Sequence, residues 1–538
     1  MSKIAADPRL HENWMRHLER TVKRDPETKD LVLKTALSAY TDDPQNLMMK
    51  GPTSIGKTYV TTQVMRYFPQ KDKWLLGGLS PTALVHDKGG DLVDANGEVI
   101  LPPADRRDKD AVEDYKQRLK HARRIVDLGG KIIVFLEAPQ IETYMRLRPI
   151  LSHDAREVDY KFTDKSPFGL VTYTVTLRGW PATISTTTDV EFMEDLVTRS
   201  TTITPEETAE KFGAANEFAG DIAASPWKYA DVDADLVGWR EYVKLLRDKV
   251  PLWKVVVPYA PDLAKSYPHN EGKFMRHFQH LLSFIRLSAY EHLFQRPRFQ
   301  LNKMPTGYVL ATADDLKMTM GLHRYYAGTT YTGLQHAAID FYEKVLAPLY
   351  SKYRDAWGGV PYDVLVDEYN RVMGRRVSSS TIYVYVKGLR EVGWADTLRD
   401  TRVKEEGGDR RRKLVKTIGN GGKIEIKIFE GFFGEGKLKE WLEGMKKHLN
   451  FEGGKYIDTA GEIPIDSSPE ADCWEDAVDV IIPRLKLRYN FGPLVGESIP
   501  KKQKGLETIL VSENKTFEGE IANAPLQEKM DFLLGELS

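Results

Sequence analysis

Apolar residues recur every four positions at Leu10, Trp14, Leu18 and Val22, which predicts an amphipathic helix. Pro26 followed by Leu31, Leu33, Leu37 and Tyr40 predicts a second helix, and Asp42-Asp43-Pro44 ends it. A short apolar strand over 47–49 then enters a glycine loop, and a helix over 57–67 leaves it. The pattern next gives a strand at 74–76, a hairpin within 85–100 around Asn96-Gly97, and a charged helix over 111–126. From Gly130 the run Lys-Ile-Ile-Val-Phe-Leu is a buried strand that ends in Glu137. Helical spacing over 141–151 gives way to period two. Val158, Tyr160 and Phe162, then Val171, Tyr173, Val175 and Leu177, alternate with polar residues on either side of a turn-rich tip. A strand over 182–188 with a polar end follows, and 191–203 reads as a helix leading into a last strand.

Farther on, Phe274, Phe278, Leu281, Leu282, Ile285 and Ala289 share one face of a helix over 273–290, and Thr312 with Asp315 marks the capped start of another. Gly358-Gly359-Val-Pro361 introduces a different unit. It consists of a helix over 362–373, a glycine turn at Gly374, a second helix capped by Ser378 and stopped by Gly393, and strands near 394–402 and 410–417. That is a helix-turn-helix plan followed by a wing. The wing carries Arg402, Lys404, Arg410, Arg411, Arg412, Lys413 and Lys416 against Glu405, Glu406 and Asp409, a local positive excess suited to phosphate. Ser379, Thr381 and Tyr383 of the second helix are the candidates to meet nucleic acid beside Arg410, Arg411 and Arg412; docking of a protein is the alternative use of such a unit. Beyond 419 the signal fades. A helix over 436–449, a turn-rich acidic stretch over 458–472 and a basic run at 500–504 carry no assigned role.

At 538 residues the chain is long enough for several domains, expected at 1–45, 46–225, 226–355, 356–420 and 421–538. Net charge is −1, from 77 basic and 78 acidic residues, so a nucleic-acid surface has to come from local clustering. Cys473 is the one cysteine, which excludes an internal disulfide and a cysteine-based zinc site and fits a reducing compartment. No apolar run reaches membrane-spanning length and no signal-peptide core opens the chain, so the expected location is cytoplasmic, with no membrane partner.

The chemistry centres on Gly51-Pro52-Thr53-Ser54-Ile55-Gly56-Lys57-Thr58, which matches GxxxxGK[ST] in a strand–loop–helix context. The loop's amide groups would face a phosphate, Lys57 would neutralise the β/γ oxygens, and the Thr58 hydroxyl would ligate Mg²⁺. Glu137, expected at the end of the strand beside the glycine loop, would hold the Mg²⁺ shell or polarise the attacking water. Leu136 stands where an acid usually precedes it, which leaves both roles open.

This order of glycine loop, acid-ended strand, helix, hairpin, polar-ended strand and helix ending in Arg199 resembles the AAA+ helicases with a pre-sensor hairpin, a group that includes the minichromosome-maintenance and viral replicative helicases. The stretch Lys273 to Tyr290, with its Ile-Arg-Leu-Ser run, resembles the lid helix of the same group, although any buried amphipathic helix would look similar. The resemblance implies an α/β fold: a P-loop AAA+ core with inserted β-hairpins, a helical lid and a winged helix-turn-helix domain. It implies that Thr187 and Arg276 sense the γ-phosphate and that Arg199 reaches a neighbouring subunit's ATP. It also implies that Lys165 at the hairpin tip touches DNA, an ordinary solvated lysine being the alternative. Leu136 and the lack of Asn among Thr186 to Thr188 depart from the family pattern. The function implied is an ATP-driven DNA helicase in a hexameric ring, replicating a mobile element with a partner such as a primase. An ATP-switched DNA-binding regulator or loader without unwinding activity is the alternative. A small-molecule phosphotransferase would need an acceptor lid and an arginine cluster that are not evident.

Overall fold

The structure is a computed structural model. It describes residues 2–491, apart from 79–91, 138–140, 167–168, 189–199, 270–271, 302–304, 401–411, 419–426, 429–431, 450–452, 459–460, 465–473 and positions 95, 97, 104, 106, 121 and 375, together with 507–508. The fold is mixed α/β around a parallel sheet of five strands: β1 (Asn46–Lys50), β2 (Lys73–Leu76), β3 (Ile132–Phe135), β4 (Ala182–Thr187) and β5 (Thr201–Ile203). Their order is β2-β3-β4-β1-β5, and every pairing is parallel. β1, β3, β4 and β5 are buried along their whole length, as the continuous apolar run at Ile132–Phe135 foreshadows. One expectation is corrected here: β3, which leads to Glu137, does not lie beside β1, because β4 is inserted between them. Strand order depends on which side each crossover takes, and local hydrophobicity does not record that.

The N-terminal helices Leu10–Glu19 and Pro26–Ser38 are part of this core rather than a separate preface. Thr28 to Ser38 is buried without interruption, and Trp14 stacks on Trp239 with ring centroids 4.9 Å apart. Burying that helix on all sides takes Lys34 and Asp30 inside with it. Lys34 Nζ bonds Asp30 at 2.5 Å and Glu291 at 2.8 Å, and His11 Nδ1 meets the other Glu291 oxygen at 2.8 Å. Three separate helices are thereby tied by one charge cluster.

Two further β units follow. Glu157–Ser166 and Gly169–Arg178 form a hairpin paired from Glu157↔Arg178 to Ser166↔Gly169. Its second strand pairs in parallel with Arg123–Asp127. That pairing corrects the expected helix over 111–126, which is a helix at Lys109–Lys120 followed by a strand. Around Asn96 the predicted turn is present, with Asp94 Oδ1 accepting the amides of Asn96 and Glu98 and Val93 bridging Val99; 79–91 lies outside the described residues.

The expected domain boundaries change in the second half. Trp253–Val256, Gly307–Leu310, Arg298–Gln300, Lys455–Asp458 and Gly461–Pro464 form one sheet in that order, and residues from 257–320 and 432–491 share one hydrophobic cluster. Residues 253–320 of the expected lid and the C-terminal elements from 432 on therefore form one discontinuous unit, while the helix Ala230–Lys249 packs in the parallel-sheet core, and the acidic stretch after 458 begins with a strand. Between its two parts lies a unit built from the helical stretch 336–357, Val360–Pro361, the helices Tyr362–Met373 and Ser379–Glu391, and the strands Ala395–Arg399 and Lys413–Thr417. Its core includes Phe341, Val345 and Leu346, so it begins before residue 356. The caps fall where expected: Ser378 accepts from the Thr381 amide, and Thr312 and Asp315 form a capping box. No helix among the described residues is long and apolar enough to cross a membrane.

The charge cluster gives the fold its own tests. Lys34→Met leaves two buried carboxylates without their lysine, and the unfolding free energy in urea is expected to fall by about 3–5 kcal/mol. Burial works against the His11 proton, but Glu291 and Asp30 outweigh it and hold its pKa above the ordinary value. The stability His11 contributes is therefore complete below about pH 6.5, its unfolded value, and is lost as pH rises through the folded value. Thermal melts from pH 6 to 9 are expected to show wild type losing ground relative to His11→Gln.

Candidate active site

β1 delivers the chain into a loop whose backbone only particular residues tolerate. Gly51 has φ 142° and Gly56 φ 90°, and Ser54 sits in the left-handed region at φ 68°. A Cβ on Gly51 would lie 2.6 Å from Ile55 Cδ1 and 3.1 Å from Thr204 Cγ2, so a side chain is excluded by space as well as by conformation. Lys57 opens the helix Lys57–Met65 and folds back over the loop. Its Nζ donates to the carbonyls of Gly51 at 2.7 Å and Pro52 at 2.5 Å, and burial lowers its pKa. The first turn of that helix carries no acid, so its free amides offer an uncontested place for an anion.

The loop is held from behind by residues with no sequence motif. Lys211 Nζ donates to Ile55 O and Glu206 O, both at 3.0 Å, and pairs with the buried Asp25 carboxylate. Tyr325 reaches the same region, donating to Thr204 O at 2.7 Å. Because Asp25 and Lys211 stand 186 positions apart, the sequence gives no sign that they meet.

A cavity of about 560 Å³ opens over the loop, within the range usual for small-molecule sites. Thr53, Ser54, Gly56, Lys57, Thr58 and Tyr59 form one wall, and Leu136, Glu137 and Thr186 to Thr188 form the other. The chain ends of β1, β3 and β4 thus converge although β3 and β1 are not neighbours. Thr186 Oγ1 donates to Leu136 O at 2.7 Å, which fixes the loop that carries Glu137 against β4. Thr58 hydroxyl and Glu137 carboxylate are hard oxygen donors on one cavity, a set that suits Mg²⁺ with water and phosphate completing the shell. Lys57 is the one cationic side chain among the described residues lining it.

Other expected site residues lie elsewhere. Arg276 is corrected: it lines a different cavity with Asp43, Asn46, His153 and Arg286, beyond the starting end of β1, and does not reach the glycine loop of its own chain. The long helix Lys273–Glu291 is apolar along the face expected: Leu281, Leu282, Ile285 and Ala289 pack into the cluster shared with 432–491, while Phe284, Leu287 and Tyr290 of another face join the parallel-sheet core. Lys165 pairs with Leu170 one step from the hairpin end. Arg199, Arg410 and Arg411 lie outside the described residues. Arg412 is half-exposed, where it pairs with the exposed Asp363 and lies 5.1 Å from the Trp357 ring centroid. Ser379 and Tyr383 are exposed on their helix and Thr381 is half-buried.

No protein-family model and no curated protein sequence matches the chain. Among solved structures it is similar to that of the Aeropyrum pernix ORC1 protein in complex with DNA, at 13% identity and TM-score 0.20, over 74% of this chain and 90% of that one. It is also similar to an active helicase, SCCmec type IV Cch, at 12% identity and TM-score 0.26, over 76% of this chain and 70% of that one. Superpositions this loose assign no role, so the chemistry rests on the cavity itself.

Lys57→Ala is expected to leave the loop unable to offset β/γ charge and to lower ATP hydrolysis by about 10³-fold or more, measured as phosphate release. Glu137→Gln is expected to stop turnover; unchanged Mg²⁺-dependent ATP binding would mark a water-side acid, and a raised Mg²⁺ requirement a metal-side one.

Proposed function

We propose that the chain is an ATP-driven DNA translocase of the AAA+ class, acting as a helicase in DNA replication and assembling as a hexameric ring. The observation that carries this reading is the single cavity that gathers the glycine loop, Lys57, Thr58, Glu137 and Thr187 at one edge of the parallel sheet. Bound Mg²⁺ would neutralise the β/γ oxygens. The loop amides would hold the phosphates, Lys57 would leave the carbonyls of Gly51 and Pro52 for them, Thr187 would meet the γ-phosphate, and Glu137 would orient the attacking water or the metal shell. Phosphoryl transfer at such a site gains most of its rate from a further cation. With Lys57 the one cation among the described residues lining the cavity, Arg199 of a neighbouring copy is the candidate donor, and a ring follows from repeating that contact.

β4 gives the cavity a mechanical outlet. Thr186 and Thr187 lie at its nucleotide end, and its first residue, Ala182, follows the hairpin strand that ends at Arg178. A small shift of β4 on hydrolysis would move the hairpin that presents Lys165 to DNA. The unit from 336 to 417 has the element order of a winged helix, with Ser379 and Tyr383 outward. Replication of a mobile element, with a primase as partner, is the setting we propose.

One observation favours the second reading, an ATP-switched regulator or loader that does not unwind. The second helix of the winged unit exposes Tyr383 at 52% and Val384 at 62%, an apolar pair suited to docking protein.

Subunit mixing separates the two. Lys57→Ala keeps a sound Arg199 and Arg199→Ala keeps a sound loop, so mixed assemblies are expected to hydrolyse ATP faster than the sum of the two alone. Wild type is expected to displace a strand from a forked duplex only with ATP. No gain on mixing and a monomer with ATP bound would favour the regulator.

A further inference from the structure

Beneath the sheet, at the edge opposite the glycine loop, three adjoining cavities of about 450, 430 and 310 Å³ form one groove. The first and third share Asp43, Ser283 and Arg286; the second and third share Thr41, Asp42, Lys254 and Tyr290. The groove runs between the parallel-sheet core and the unit that begins at Trp253, and it passes the root of the hairpin, where Arg156 and Trp180 flank the two strands. None of the residues expected from the sequence to contact DNA lines it.

Its lining alternates cations with aromatic rings. Arg156, Arg247, Lys254, Arg276 and Arg286 stand against Asp42, Asp43 and Asp154, with Trp180, Trp253 and Tyr290 between them. Arg247 pairs with Asp248 at 2.8 Å and approaches Asp72 at 3.6 Å, and Arg286 approaches Asp43 at 3.8 Å. Arg156 and Lys254 are exposed. The Arg156 guanidinium lies 4.7 Å from the Trp180 ring, which stacks on His153 at 4.6 Å and 20°, so a flat cationic and aromatic platform is already assembled. Burial lowers the pKa of His153 and takes His280 down to about 4, so the groove's positive charge comes from arginine and lysine.

We propose that this groove binds a single strand of nucleic acid, its phosphates on Arg156, Lys254 and Arg286 and its bases against the tryptophan rings. Phosphate needs fixed cations along a track, and unpaired bases need planar faces; this lining supplies both. A slot between two packed units admits one backbone with splayed bases, whereas a duplex is read by elements that protrude into its grooves. An acidic peptide would use the cations but leave the rings idle. A strand seated here would also bridge the ATPase core and the discontinuous C-terminal unit.

The test uses the full chain, without nucleotide, and labelled oligodeoxythymidylate and oligouridylate followed by fluorescence anisotropy across a salt series. Arg156→Gln/Lys254→Gln removes two exposed charges, neither of which lines the glycine-loop cavity. It is expected to weaken oligonucleotide binding at least tenfold and to flatten the salt slope by roughly 1.4 for two lost single-strand phosphate contacts. ATP hydrolysis without DNA is expected to stay at the wild-type rate, which shows the fold intact and keeps this result separate from any failure of the proposed ATPase. Loss for deoxythymidylate alone identifies DNA as the occupant, and loss for both identifies the chemistry the two strands share. Photo-crosslinks from a bromouracil-substituted strand are expected in peptides containing Trp180 or Trp253. Unchanged affinity and slope, or crosslinks confined to 379–391, would overturn the proposal.

Discussion

Every residue of β1 is buried between two parallel neighbours, and a strand so placed has only its two ends to offer to solvent. Parallel pairing puts all the strand exits on one edge and all the entries on the other. At the exits lie the glycine loop, Glu137 and the threonines of β4. At the entries, Asn46 donates to Leu151 O at 2.8 Å and accepts from Thr183 at 2.6 Å, beside the basic groove. β4 touches both edges, bonding Leu136 O at one and following the hairpin at the other, so the glycine-loop cavity and the basic groove sit at opposite ends of one element.

Buried charges decide how the helices attach to that sheet. Lys34, Asp30, Glu291 and His11 join three helices that share no local sequence. Lys211 and Asp25 join the segment after β5 to the back of the glycine loop. A buried ion pair adds little net stability over an apolar pair of the same shape, yet losing one partner is costly. Such contacts therefore specify position more than they stabilise. Asp25 has φ 60°, a left-handed conformation at the start of the helix Pro26–Ser38, and its carboxylate also accepts from Thr28 and from the Glu206 amide. The loop's shape thus depends on a segment distant in the chain.

The segment 253–320, expected as part of a lid, is not a free flap. Its sheet is completed by Lys455–Asp458 and Gly461–Pro464, its core is shared with the helix Glu435–Leu449, and Asp262 is held by Lys437 at 2.6 Å and by the Phe433 amide at 3.1 Å. The unit from 336 to 417 lies in the chain between the two parts of this body. Motion of this body relative to the parallel-sheet core would carry the unit from 336 to 417 with it.

The sequence by itself determined the local elements. A phosphate loop needs glycines at fixed offsets, a strand buried on both faces needs a continuous apolar run, and a hairpin with one buried face alternates, so the glycine loop, β3 and the strands around 157–178 were legible from their own residues. The capped starts at Thr312 and Ser378 were legible for the same reason, since a cap is satisfied within three residues. What only the tertiary structure decided was adjacency: β4 between β3 and β1, Arg276 at the entry edge, Arg412 beside Asp363, and the union of 253–320 with 432–491. Each of these depends on pairings between residues far apart in the chain. Such pairings are set by which crossovers and buried contacts can be satisfied together in space, and they leave no periodic mark on the sequence between them.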